Sequence, residues 1–176
     1  MLALETRFPG QCIAMMGLHP VSVKENYQEE LAIIAGWLGK RPFAAVGEIG
    51  LDYYWDRAFD QQQVAAFHQQ IEWALQYKLP IVIHSRESMD DCIGIVREHQ
   101  NGALNGIFHC FTGTAAQAQQ IIDAGFYLGI GGVLTYKNLR CPGPSKIFRW
   151  RPWYWKPMRL TCRRCLSGVK GMKAAI

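Results

Sequence analysis

The last 37 residues of this 176-residue chain contain no aspartate and no glutamate. Residues 1–139 hold all 14 acidic residues and 9 of the 19 basic ones, a net of −5. Residues 140–176 hold the other 10 basic residues, a net of +10. The overall +5 therefore averages two unlike parts, and the acidic part excludes a broad basic stripe for gripping nucleic acid along its length. Three of six tryptophans, four of eight prolines and three of six cysteines also fall in 140–176, which sets a compositional boundary near Lys137–Arg140. No run approaches the ~20 apolar residues of a membrane span. The opening Met-Leu-Ala-Leu-Glu-Thr-Arg-Phe-Pro lacks the basic head and long apolar middle of a signal peptide, so the expectation is a cytoplasmic protein. No internal repeat is found. Cysteine is sparse in the acidic part, and Cys12, Cys92 and Cys110 read as reduced thiols in or beside core elements. Cys162-x-x-Cys165 has no second ligand pair and is a weak signal for zinc or redox chemistry.

What is present is a run of β-prone segments separated by helical periods. Hydrophobic content of 49% with 19% charged residues suits one globular core. Strands are expected at 11–18, 43–49, 80–84, 105–110 and 126–130. Helices are expected at 24–39, 60–78 with Asp60 as N-cap, 88–99 with little apolar beyond Ile93 and Val96, and 114–124 ended by Gly125. This alternation predicts an α/β fold with parallel strands and crossover helices. A partial (β/α)8 barrel fits better than an open doubly wound sheet, since candidate ligands stand at several consecutive strand ends rather than at one switch point.

Those ligands are Glu48, closing Phe-Ala-Ala-Val-Gly-Glu, His84, closing Ile-Val-Ile-His, and His109, closing Gly-Ile-Phe-His. Parallel strands open their C-termini on one face, so residues 36 and 25 positions apart in sequence should meet there. A carboxylate and two imidazoles converging on that face form part of a divalent-metal site. His19, before Pro20, belongs to the preceding strand end, although Gly-x-His-Pro also suits a structural turn. Asp52 suits orientation of a ligand or capping of a loop. Arg86 suits a phosphate, or an ion pair with Glu87. Tyr53, Tyr54 and Trp55 suit either a stacking platform for unpaired bases or loop packing. His68 and His99 read as solvated positions on helix exteriors.

Five ordered segments carry a family resemblance. Gly17-Leu18-His19-Pro20, Gly47-Glu48-Ile49-Gly50-Leu51-Asp52-Tyr53, Ile83-His84-Ser85-Arg86-Glu87, His109-Cys110-Phe111 and Gly129-Ile130-Gly131-Gly132 resemble the successive motifs of TatD-type metal-dependent deoxyribonucleases. The resemblance covers roughly residues 1–138 and implies an amidohydrolase-like TIM barrel that hydrolyses DNA phosphodiester bonds with two divalent cations, Mg²⁺ foremost, with Mn²⁺ or Zn²⁺ as alternatives. It implies Glu48 as a carboxylate bridging both metals, His84 and His109 as ligands of one, and Glu48, Arg86 and His19 as catalytic groups. Arg86, Asp52 and Tyr53 are the implied substrate contacts. Two rival functions stand beside this one: a metal-dependent hydrolase of small esters or amides on the same barrel, and a non-catalytic fragment of such an enzyme.

The family's initial His-x-His pair is absent from the sequence, as is the aspartate of a Thr-Asp-Ala-Pro-like motif after a later strand. The expectation is an incomplete barrel domain over 1–138, monomeric and prone to aggregation through unpaired strand edges. Residues 139–176 are expected to be an aberrant basic tail, poorly packed and read out of frame. Translating the encoding DNA of that region in its other two frames checks this: a Thr-Asp-Ala-Pro-like motif should emerge, and its absence from both frames removes the frameshift.

Overall fold

β-prone segments pair side by side in chain order. β1 (Val46–Asp52), β2 (Ile81–Arg86), β3 (Gly106–Phe108) and β4 (Tyr127–Leu128) form one parallel sheet of order β1-β2-β3-β4. The computed structural model describes residues 1–131; the expected boundary near 139 and the tail beyond it lie outside the described residues. The crossovers are α3 (Asp60–Tyr77), α4 (Met89–His99) and α5 (Ala115–Asp123), while α1 (Leu2–Arg7) and α2 (Tyr27–Lys40) precede the sheet. No helix among the described residues is long and apolar enough to cross a membrane.

The two faces of the sheet bury different things. Ile49 and Leu51 of β1, Ile81 and Ile83 of β2 and Phe108 of β3 pack with apolar residues of α2, α3, α4 and α5 in one continuous core. The opposite face carries a small separate cluster of Ala45, Val82 and Ile107 with Met15 against it. A doubly wound sheet needs helices on both faces. Here the helices share one face, as they do around a (β/α)8 barrel, so the fold is the α/β barrel type that the strand-end pattern predicts.

Several expected boundaries move, each for a local reason. The segment 11–18 makes only an isolated parallel bridge, Met16 to Val46, rather than a full strand. It lies where a first strand should, beside β1, but the peptide groups of Leu18 go elsewhere. Gln70 of α3, 1% exposed, accepts from the Leu18 N–H at 2.6 Å and donates to the Leu18 carbonyl at 3.3 Å. One turn pair earlier, Gln63 treats Asp52 in the same way: it accepts from the Asp52 N–H at 2.8 Å and donates to the Asp52 carbonyl at 3.2 Å. The two amides lie seven residues apart on one helix face, and each substitutes for a neighbouring strand's peptide group.

Asp60 is the first residue of α3 rather than its cap, because Phe59 occupies the cap position and the Asp60 carboxylate accepts from Arg57 Nε at 2.7 Å. α4 buries Cys92 and Ile95 in addition to Ile93 and Val96, so its apolar face is wider than expected. α5 begins with a capping box between Thr114 and Gln117, and Gly125 follows its C-cap at φ +82°. α1 has no counterpart among the expected elements; Glu5 ties it down by pairing with Arg41 at 2.7 Å and accepting from the Ala14 N–H at 2.9 Å.

Gln70→Leu keeps the volume of the side chain and strands both polar groups of Leu18. The unfolding free energy from urea titration should fall by about 2 kcal/mol or more; an unchanged midpoint and slope would show that the amide clamp is not a structural support. Burial also pushes the Cys92 thiol up to about 12. Peptide mapping after iodoacetamide at pH ~8 should find Cys92 unmodified in the native protein and modified once it is unfolded. Labelling of native Cys92 as fast as that of half-buried Cys12 would mean α4 is not seated as described.

Candidate metal centre

Glu48 does not close its strand. β1 runs on to Asp52, so the loop expected at 50–54 begins later. The pairing with β2 skips Glu48: Gly47 opposes Val82, and Ile49 opposes Ile83. The extra residue is a bulge, which resets the alternation of the pleat. Val46 and Ile49, three positions apart, consequently share the helix-side core, while the Glu48 side chain stays on the face of His84 and His109. Past the bulge, Gly50 adopts φ +132°, and a β-carbon there would collide with the His84 carbonyl. Only glycine lets β1 continue this close to β2.

Four side chains meet over that face. His19 Nε2 lies 3.7 Å from Glu48 Oε2, and His109 Nε2 lies 3.8 Å from Glu48 Oε1. The rings of His19 and His84 stand 4.5 Å apart between centroids. One donor atom each from His19, Glu48 and His84 falls within 4.8 Å of the others. His109 and His19 thus approach different oxygens of the Glu48 carboxylate, and all four side chains are partly exposed.

Hydrogen bonding assigns these imidazoles different roles. Asp52, 2% exposed, sits 2.8 Å from His84 Nε2 through its Oδ2, and its Oδ1 accepts from the Tyr54 N–H at 3.0 Å. An ionised carboxylate only accepts, so Nε2 of His84 donates and Nδ1 keeps the bare lone pair. Asp52 therefore orients the His84 ring; buried and with both oxygens engaged, its carboxylate is not presented to a substrate, contrary to the expected substrate contact. His19 Nδ1 accepts from the Val21 N–H at 3.2 Å and caps the turn Pro20–Ser22. In the neutral ring Nε2 then carries the proton, and His19 faces Glu48 as a donor. Burial holds the His19 imidazole below its usual range, helped by the neighbouring His84 and opposed by Glu48 and Asp52. His109 Nε2 lies 3.2 Å from Cys110 Sγ.

The remaining candidates separate. Tyr53 points its hydroxyl to Asp91 Oδ2 of α4 at 2.9 Å and its ring to the Arg57 guanidinium at 4.4 Å. It serves the packing of the loop on α4, and the expected substrate contact does not arise from it. Burial and the Asp91 carboxylate raise its phenol pKa. Arg86 makes no ion pair with Glu87; its guanidinium lies 3.6 Å over the Tyr54 ring centroid and 5.2 Å from that of Trp55. His68 and His99 are not separately solvated. They meet across α3 and α4, Nδ1 to Nε2 at 2.7 Å, a pairing that needs the tertiary fold and has no sequence signal.

A family model described as TatD related DNase matches residues 1–142. An uncharacterized metal-dependent hydrolase of Bacillus subtilis, YabD, is 40% identical over 129 residues, covering 73% of this chain and 51% of that protein. A 3'-5' ssDNA/RNA exonuclease, TatD of Erwinia billingiae, is 32% identical over 130 residues, covering 74% and 50%. Among solved structures, the TatD homolog YJJV of Escherichia coli K12 superposes with a TM-score of 0.75 at 28% identity, over 86% of this chain and 57% of that one. The chain spans about half the length of the curated relatives it matches.

The His19 environment sets a pH expectation for the metal-free protein. A lowered folded-state pKa means that the native ring binds fewer protons than the unfolded one, so stability falls as pH drops below the unfolded imidazole value of about 6.5 and continues to fall down to the folded value. Ring NMR signals should show His19 titrating below the ordinary imidazole value of about 6.5. A His19 midpoint at or above about 6.5 would contradict the burial of its ring against His84.

Proposed function

Because the chain belongs to the family of TatD related DNases, we propose that it contributes the metal-dependent centre of a phosphodiester hydrolase acting on single-stranded nucleic acid, DNA foremost, at or near a strand end. The observation that carries this is the meeting of Glu48 with His19, His84 and His109 above adjacent parallel strands. The nucleic-acid substrate is suggested by the Erwinia relative, whose name gives single-stranded DNA and RNA.

The donor set fits a divalent cation: an anionic oxygen suits Mg²⁺ or Mn²⁺, and neutral imidazole nitrogens suit Zn²⁺. Glu48, His84 and His109 would hold it, with Asp52 fixing the tautomer of His84. When bound, such a cation supplies positive charge to phosphoryl oxygens and acidifies water. The chain's own residues contribute the rest. Glu48 offers a carboxylate that can accept a proton from attacking water. His19 presents Nε2–H toward the same space and can donate to a phosphoryl oxygen. Arg86, two residues beyond His84 on the same face of β2, offers a guanidinium to the neighbouring phosphate. Water adds to phosphorus, the bond to the departing sugar oxygen breaks, and that oxygen takes up a proton equivalent to the one Glu48 removed from the water.

Among the described residues the donors gather around one carboxylate, so calorimetry should find one Mn²⁺ per chain. Asp52→Asn should weaken that binding about 10–100-fold without unfolding the protein. Hydrolysis of a short single-stranded oligonucleotide with Mg²⁺, Mn²⁺ or Zn²⁺ should be lost in Glu48→Gln. Turnover that survives this substitution removes the proposed centre, and a wild-type chain that binds metal but cuts nothing leaves it as a binding fragment.

A further inference from the structure

We propose that Trp55, with Arg86 held flat on Tyr54, forms a subsite that seats one unpaired base and its phosphate immediately beside the metal centre. The proposal rests on the nucleic-acid reading given above and adds to it the part of the strand that is recognised.

Two large aromatic side chains lie open on an otherwise acidic unit: Trp55 is 66% and Tyr54 49% exposed. They meet edge to face, 4.9 Å between centroids at 87°. Leaving a tryptophan this exposed forgoes the burial that such a side chain ordinarily obtains, whereas the next residue back, Tyr53, is engaged with α4. Arg86 lies flat against Tyr54 and within reach of Trp55, and among the described residues it has no carboxylate partner. Its nearest acidic neighbour across the sheet, Asp52, is committed to His84 and to the Tyr54 N–H. In a part of the chain with 14 acidic and 9 basic residues, an exposed guanidinium free of carboxylates and pre-set by a ring is an anion receptor. A ring with an open surface next to an anion receptor matches one nucleotide: base on the ring, phosphate on the guanidinium.

The placement ties this subsite to the hydrolytic centre. Arg86 and His84 lie about 7 Å apart along one strand face. The Asp52 carboxylate joins His84 on one oxygen to the aromatic loop on the other. Trp55 also lines a shallow recess with Val21 and Lys24, on the turn that follows His19. A nucleotide seated on Trp55 would therefore lie between the His19 turn and β2, with an adjoining phosphate directed at Glu48.

A duplex keeps its bases stacked on one another, so this subsite selects unpaired strands. The test is fluorescence anisotropy with a short labelled oligothymidylate and with an abasic strand of the same length, in the Glu48→Gln background so that bound strands persist. Trp55→Ala should weaken oligothymidylate binding about fivefold or more and leave the abasic strand unaffected, while Trp55→Phe should restore most of the loss. Arg86→Ala should weaken both strands. Equal binding of base-bearing and abasic strands, or a Trp55→Ala variant that still tells them apart, overturns the subsite. Loss of hydrolysis in Glu48→Gln, measured separately on the unlabelled strand, stands or falls independently of that result.

Discussion

Two buried glutamines on one helix hold the site segments where the sheet alone does not. Gln70 occupies both peptide groups of Leu18, the residue before His19, and Gln63 occupies both peptide groups of Asp52, the residue that orients His84. Each side-chain amide supplies one donor and one acceptor in the geometry of a missing strand neighbour. The arrangement costs the desolvation of two amides and offsets it with four hydrogen bonds to groups that would otherwise be buried without partners. Helix α3 is thereby both the cover of the core, through Phe67, Ile71 and Ala74, and the part that fixes two of the four site segments relative to each other.

This division explains what could be read in the sequence. The parallel order of the strands follows from alternating periods, and the shared face of His84 and His109 follows from their places toward the C-terminal ends of neighbouring parallel strands, although β2 runs on past His84 to Arg86. Neither needs tertiary knowledge. The bulge at Glu48 was not legible, because a bulge leaves the composition of a strand unchanged and shows itself only in the partner's register. Nor were the roles of Gln63 and Gln70, since a polar residue on a helix ordinarily reads as solvated and its burial depends on which backbone groups come near. His68 and His99 read as solvated for the same reason: each lies on its own helix as an exterior position, and only the packing of α3 on α4 brings them together. Asp52 suits either a ligand-orienting group or a substrate contact in the sequence, and its burial beside His84 leaves the carboxylate turned away from solvent.

Three histidines of one chemistry have been given distinct duties by what each ring touches. A main-chain N–H fixes the proton on the far nitrogen of His19, a buried carboxylate fixes it on the near nitrogen of His84, and a thiol stands beside His109. Proton placement is thus built into the scaffold by secondary contacts, ahead of any ligand.

The bulge also separates two properties that are ordinarily bound together in a β-strand. Residue 48 takes no part in the register between β1 and β2, so strand alignment is carried by its neighbours and the side chain at 48 is free of that duty. An exchangeable socket results: aspartate, histidine or cysteine installed there would change the hardness of the donor while the sheet keeps its alignment. In the metal centre proposed above, the choice of cation would then be a property that one codon can retune.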